Sequence, residues 1–83
     1  MIDEIKIKGI YRHYKGDLYL VEDIATHSET GKEMVIYRGL YDGSPLWVRP
    51  KSLFLNKLDT KKAQEFGQEY RFELQDIKSV RED

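Results

Sequence analysis

The close spacing of its turn signals limits this chain more than any other feature. Lys15-Gly16-Asp17, the polar run His27-Ser28-Glu29-Thr30-Gly31-Lys32 and the cluster Asp42-Gly43-Ser44-Pro45 cut the N-terminal two thirds into short segments. Turn clusters at intervals of about 8–12 residues leave room for strands and little else, which points to a sandwich or barrel. The segments between them have strand composition. Ile5 and Ile7 alternate with Lys6 and Lys8 at period 2 until Gly9 interrupts. Ile10 to Tyr14 is a second extended stretch, and Gly16 supplies the positive φ that a tight hairpin demands. Leu18 to Ala25 reads as its return strand, and Met34 to Arg38 and Leu46 to Arg49 as two more. Pro50 lacks an N–H, so it ends the last strand or sits at a sheet edge.

The C-terminal third carries two overlapping periods. Ala63, Phe66, Tyr70, Leu74 and Ile77 fall at helical spacing, while Tyr70, Phe72 and Leu74 alternate with Arg71 and Glu73 at strand spacing. The spacing predicts a short helix over 60–66 and a strand over 69–76. Asp59 or Thr60 caps the helix start and Gly67 stops it. Arg81-Glu82-Asp83 is expected to fray. A single domain over 1–83 is expected, because so short a chain buries only ~60% of its unfolded surface. Closure removes exposed sheet edges. The expected fold is therefore mainly β: a small antiparallel β-barrel of five or six strands, roughly SH3-like, with one short C-terminal helix.

Composition removes several function classes. There is no cysteine, hence no disulfide framework and no thiolate metal site. No apolar run approaches the ~18–20 residues that span a bilayer, and residues 1–15 hold no apolar stretch of the secretory kind. A cytoplasmic protein with no membrane partner is expected. The net charge is −1, from 14 basic and 15 acidic side chains. A dedicated nucleic-acid domain is usually basic overall, because phosphate neutralisation supplies most of its affinity. The charge is unevenly spread, however. Residues 32–62 hold seven basic against three acidic side chains, and residues 63–83 three against six.

Several motifs agree in order and spacing with one family. They are Gly9-x-Tyr11-Arg12-His13-Tyr14-Lys15-Gly16-x-x-Tyr19-x-Val21, Ala25-x-His27-Ser28-Glu29-Thr30, Val35-x-Tyr37-Arg38-x-Leu40-Tyr41, and Leu46-Trp47-Val48-Arg49-Pro50 with Phe54. Together they resemble DUF1653, a bacterial domain of unknown function, over about residues 9–55. Tyr70-Arg71-Phe72 extends the likeness. The chain departs from the pattern at Asp42-Gly43-Ser44-Pro45, a turn richer in proline character than the family's. The resemblance implies a small, mostly β, cytoplasmic bacterial protein and implies no activity. Residues 56–78 would then form an extension to the family-like part and 79–83 a tail.

Aromatic side chains beside arginines are the densest chemical feature. Tyr11-Arg12, Tyr37-Arg38 and Trp47-Val48-Arg49 lie on three expected strands, with Tyr14, Tyr19 and Tyr41 nearby in sequence. Strand alternation puts Tyr11 and His13 on one face and Ile10, Arg12 and Tyr14 on the other. If Leu46 and Val48 point inward, Trp47 and Arg49 point out together. An exposed indole beside a guanidinium can stack a base and bind a phosphate, or hold an extended peptide. The same residues also serve as an ordinary barrel rim, with arginines stacked on tyrosines for ~0.5–1 kcal/mol each. The His27–Gly31 loop is the second candidate. Its Ser28, Glu29 and Thr30 side chains can hold a tight loop, or His27 with Ser28 and Glu29 can recognise an anion.

Metal and catalytic readings are weaker. His13 and His27 are the only histidines, and no short spacing assembles three or four ligands. His27 and Ser28 are neighbours in sequence, and neighbours on a strand face opposite ways, so they make no dyad. The six glycines form no phosphate loop. No cofactor and no catalysis are expected, although a small enzyme using His27 and Glu29 stays open. The leading expectation is a binding module in which His13, His27, Ser28, Glu29, Tyr37, Arg38, Trp47 and Arg49 receive nucleic acid, a nucleotide or another anionic ligand. The alternative is a protein-interaction module that binds an extended peptide or forms a homodimer.

Overall fold

A computed structural model describes residues 4–76. Five strands form one antiparallel sheet: β1 (Ile10–His13), β2 (Leu18–Thr26), β3 (Glu33–Gly39), β4 (Leu46–Pro50) and β5 (Phe72–Leu74). Two short helices, α1 (Lys51–Phe54) and α2 (Thr60–Phe66), lie between β4 and β5. The sheet order is β4-β3-β2-β1-β5.

The strand expectations hold from residue 10 to residue 50, with ends shifted by a residue or two. The expected strand around Ile5 and Ile7 is absent. That segment is irregular, and Ile7 and Lys8 form a turn in which Lys8 takes a φ of 69°. A lysine tolerates this region poorly, and the turn is held by Lys8 N–H donating to Val21 O at 2.7 Å. The β1–β2 hairpin turns as expected at Gly16, whose φ is 115°.

The sheet does not close into a barrel, so the barrel and SH3-like expectations give way to an open sheet. Closure would require the two ends of the order, β4 and β5, to pair; β5 pairs with β1 instead, and β4 pairs with β3 alone among the named strands. The expected strand over 69–76 is also reduced to three residues. Residues 56–58 run beside 69–71, joined by Leu58 N–H to Glu69 O at 2.9 Å and Arg71 N–H to Asn56 O at 3.0 Å.

Helix α1 rather than a second sheet wall covers the inner face. Pro50 ends β4, and its extended backbone leads directly into α1, which the sequence pattern did not reveal. This turn swings Phe54 over the sheet. The helix over 60–66 forms as expected: the Asp59 carboxylate accepts from Lys62 N–H at 2.8 Å, and Gly67 ends it in the left-handed region. The tail over 79–83 and Ile77 lie outside the described residues.

The core is a stack of rings. Tyr11, Val21, Val35, Tyr37, Phe54 and Phe72 are buried together. Phe54 lies flat on Phe72, with centroids 4.1 Å apart, and meets Tyr11 and Tyr37 edge-on at 5.3 Å each. Edge and offset ring contacts add about 0.5–1.5 kcal/mol each beyond their buried area. This inner face also carries Ile24, Trp47 and Arg49, because Ile24 and Arg49 stand opposite Val35 and Trp47 stands opposite Tyr37. The opposite, outer face holds Arg38 and Leu46 paired across β3 and β4. A bulge between Val21 and Asp23 sets Glu22 free of the register. Its carboxylate takes both Lys8 (2.7 Å) and Arg38 (2.5 Å), which holds the Glu22 carboxyl below its ordinary pKa.

Candidate anion-binding site

The inner face becomes chemically distinct at the end where β1 turns into β2. His13, the last residue of β1, stands opposite Phe72 of β5. Its ring packs against Tyr14 at 4.5 Å, Phe72 at 5.0 Å and Tyr19 at 6.2 Å. Four cations surround these rings. The Arg49 guanidinium lies 5.9 Å from the Phe72 ring centre, and Arg71 lies 5.8 Å from that of Tyr14. Lys15 and Lys62 approach the same Tyr14 ring at 5.9 and 5.7 Å.

Side-chain hydrogen bonds aim the two arginines. Arg49 Nε donates to the Tyr37 hydroxyl at 3.2 Å, and Arg71 Nε donates to Asn56 Oδ1 at 2.7 Å. Neither makes an ion pair with a carboxylate among the described residues, where every such pair uses another cation. A guanidinium has five donors in a rigid fork, so each retains donors for a ligand. The positive field registers on His13. Partial burial, then Arg71, Arg49 and Lys15, hold its pKa below the ordinary value, against a smaller opposing effect of Asp17.

The sign of the resulting pH dependence follows directly. The unfolded chain binds a proton at His13 near pH 6.5, and the folded chain binds it only at lower pH. Stability from this group is complete above pH 6.5 and is lost as pH falls through 6.5 toward the folded value. We expect denaturant midpoints to decline across that window, and His13→Asn to flatten this part of the profile. An unchanged profile in the variant would remove His13 from the account.

Aromatic side chains extend the site along the sheet. Tyr19 packs edge-on against Tyr37 (5.6 Å) and Tyr41 (6.2 Å). Burial, then the neighbouring Tyr41 hydroxyl, pushes Tyr19 up to about 12. Tyr41 lies across Gly39, where a Cβ would collide with its ring, so a side chain there would displace Tyr41. Tyr41 and Trp47 are 46% and 43% exposed, so both offer ring surface to a ligand.

Six of the expected site residues need a new placement. Trp47 and Arg49 do share a face, but it is the inner one; Leu46 and Val48 point outward and are 56% and 61% exposed. The reversal follows from register, since Tyr37 is buried and Trp47 stands opposite it. Arg38 is on the outer face, bound to Glu22. His27, Ser28 and Glu29 sit beyond the end of β2 in the loop that leads to β3, away from the His13 end of the sheet. There His27 Nδ1 accepts from Glu29 and Thr30 N–H at 3.2 and 3.3 Å, the geometry of a self-capped loop. His13, Tyr37, Trp47 and Arg49 remain together. Arg71 completes the group and was missed as a site residue; its only sequence signal was its place in Tyr70-Arg71-Phe72, which says nothing of the partner strand.

The comparisons agree on a family. The model of DUF1653, a protein family of unknown function, matches residues 9–74. This chain belongs to the DUF1653 family. The crystal structure of a DUF1653 protein from Bordetella bronchiseptica is similar to it at 32% identity and a TM-score of 0.67, over 87% of this chain and 88% of that one. No curated protein matches it. The family match therefore covers His13, Trp47, Arg49 and Arg71 alike. No group of three or more His, Cys, Asp or Glu able to hold a metal ion occurs among the described residues.

Proposed function

We propose that this DUF1653 domain is a non-catalytic binding module for a ligand that joins a planar ring to a phosphate, as a nucleotide or single-stranded nucleic acid does. One observation carries the reading. Arg49 and Arg71 are held on aromatic rings beside His13 with no carboxylate partner among the described residues. Phosphate would be received by these guanidiniums, which bind it through paired donors. A base would stack on Trp47 or Tyr41, a contact worth about 1–3 kcal/mol that tolerates any base. The overall charge of −1 does not oppose this reading, because the cations gather at one end of one face.

Trp47 is the only tryptophan of the chain, so its fluorescence reports on the site alone. Titration with single-stranded oligothymidylate is expected to quench it. Affinity should fall with salt at a log–log slope of about −0.7 for each phosphate neutralised. Emission that stays constant, or a binding curve indifferent to salt, would reject the proposal.

A second reading rests on a different observation. Leu46, Trp47 and Val48 are consecutive, exposed and carried by the edge strand β4. Such an edge can accept an extended peptide as a further strand. Binding of this kind would persist in high salt, and the titration above separates the two readings.

A further inference from the structure

The four cations at the hairpin end of the sheet fall into two groups. Arg49 stands alone on the Phe72 ring. Arg71, Lys15 and Lys62 share the Tyr14 ring, each within 6 Å of its centre. The His13 ring links the two, touching Tyr14 at 4.5 Å and Phe72 at 5.0 Å. Three separate parts of the chain build the Tyr14 group: the β1–β2 turn supplies Lys15, α2 supplies Lys62, and the approach to β5 supplies Arg71. Tyr14 itself is fixed. It is buried, meets Phe66 of α2 edge-on at 5.0 Å, and its N–H donates to Arg71 O at 3.0 Å. Lys15 N–H donates to His13 Nδ1 at 3.1 Å, which ties the turn to the linking ring. Three like charges around one ring repel one another. None of them makes an ion pair among the described residues.

Given the anion-binding reading above, on which this rests, we propose that Lys15, Lys62 and Arg71 form a second phosphate position beside that of Arg49, and that the ligand is a single strand of nucleic acid held through at least two phosphates. A phosphate at the Tyr14 ring relieves the repulsion among its three cations. A mononucleotide carries its phosphate at one point and fills one position. A strand carries one at every step, about 3.4 Å apart along its axis when stacked. Ring contacts of 4.5 and 5.0 Å about His13 set the two positions only a few such steps apart. Arginine and lysine divide the work accordingly: the Arg49 and Arg71 forks fix orientation, and the lysines add point charge.

Thymidine monophosphate, tetrathymidylate and tetrauridylate provide the test, with the amide spectrum of the isotope-labelled chain as readout. At least one of the two strands is expected to bind about tenfold or more tightly than the monophosphate, and the tighter strand tells DNA from RNA. Strand binding should shift Tyr14, Lys15, Lys62 and Arg71 together with Trp47 and Arg49. The double variant Lys15→Gln/Lys62→Gln should weaken strand binding about tenfold and leave the monophosphate affinity unchanged. Lys32→Gln/Lys61→Gln removes the same charge from exposed positions off the Tyr14 ring and should change neither. A monophosphate that binds as tightly as both strands, or equal losses in the two double variants, would overturn the second position and leave the anion-binding reading standing. Silence toward all three probes would remove both.

Discussion

Replacing Phe54 with alanine is expected to remove about 3–5 kcal/mol of folding free energy, the range for buried aromatic-to-alanine changes. Phe54 is fully buried, stacked on Phe72 and edge-on to both Tyr11 and Tyr37. It is therefore the single ring that ties α1 to three strands. A domain of 83 residues at about 0.05–0.15 kcal/mol per residue holds roughly 4–12 kcal/mol in all. The variant should consequently be marginal or unfolded at 25 °C. Urea denaturation followed by Trp47 fluorescence measures the loss. Leu53→Ala, one residue earlier but 52% exposed, serves as the control and should cost less than about 1 kcal/mol. If the two variants lose similar stability, the aromatic stack is not the centre of the core.

The largest effect on binding is expected from the paired arginines. Arg49→Gln and Arg71→Gln should each weaken oligothymidylate binding about tenfold and lower the magnitude of the salt slope by about 0.7. The double variant should bind about a hundredfold more weakly if the two act independently. Arg38→Gln supplies the discriminating control. Arg38 neighbours Tyr37 in sequence but points to the outer face, where it pairs with Glu22. Its loss should leave affinity and slope unchanged, since an exposed ion pair contributes little even to stability. Equal losses in all three single variants would mean that general positive charge, not a built site, binds the ligand.

The reason Arg38 was grouped with Tyr37 shows what a pattern can and cannot carry. Alternation separates two faces of each strand reliably, and Val35 and Tyr37 do share the buried face. It does not say which face of the next strand follows the core. For β4 that choice is made by its register against β3, where Trp47 stands opposite Tyr37, and no local signal in Leu46-Trp47-Val48-Arg49 encodes it. Both faces of that strand are apolar enough to be buried. The edge position of β4 then leaves even its inner-facing Trp47 half-exposed.

The barrel expectation failed for a related reason. Turn spacing counts strands but is silent on whether the first and last of them meet. Here the C-terminal segment spends residues 51–71 on two helices and a paired coil before returning beside β1. Burial of the inner face by Phe54 and Leu55 then replaces burial by a closing sheet wall. Helix α1 has only four residues, fewer than an amphipathic period needs to declare itself. By contrast α2 was legible at both ends, because Asp59 and Gly67 act through their own backbone geometry.

Local chemistry thus decided what this sequence could determine by itself. Turns at Gly16 and Gly43, the five strands (the last shorter than expected), the helix between Asp59 and Gly67, and the family all follow from residues within a few positions of one another. The tertiary structure alone decided the site. His13, Arg49 and Arg71 are separated by 36 and 22 residues along the chain. Their meeting depends on β5 pairing with β1 and on α1 turning the chain back over the sheet. Those are long-range contacts set by the total burial of rings around Phe54, a sum over the whole chain that no short pattern contains.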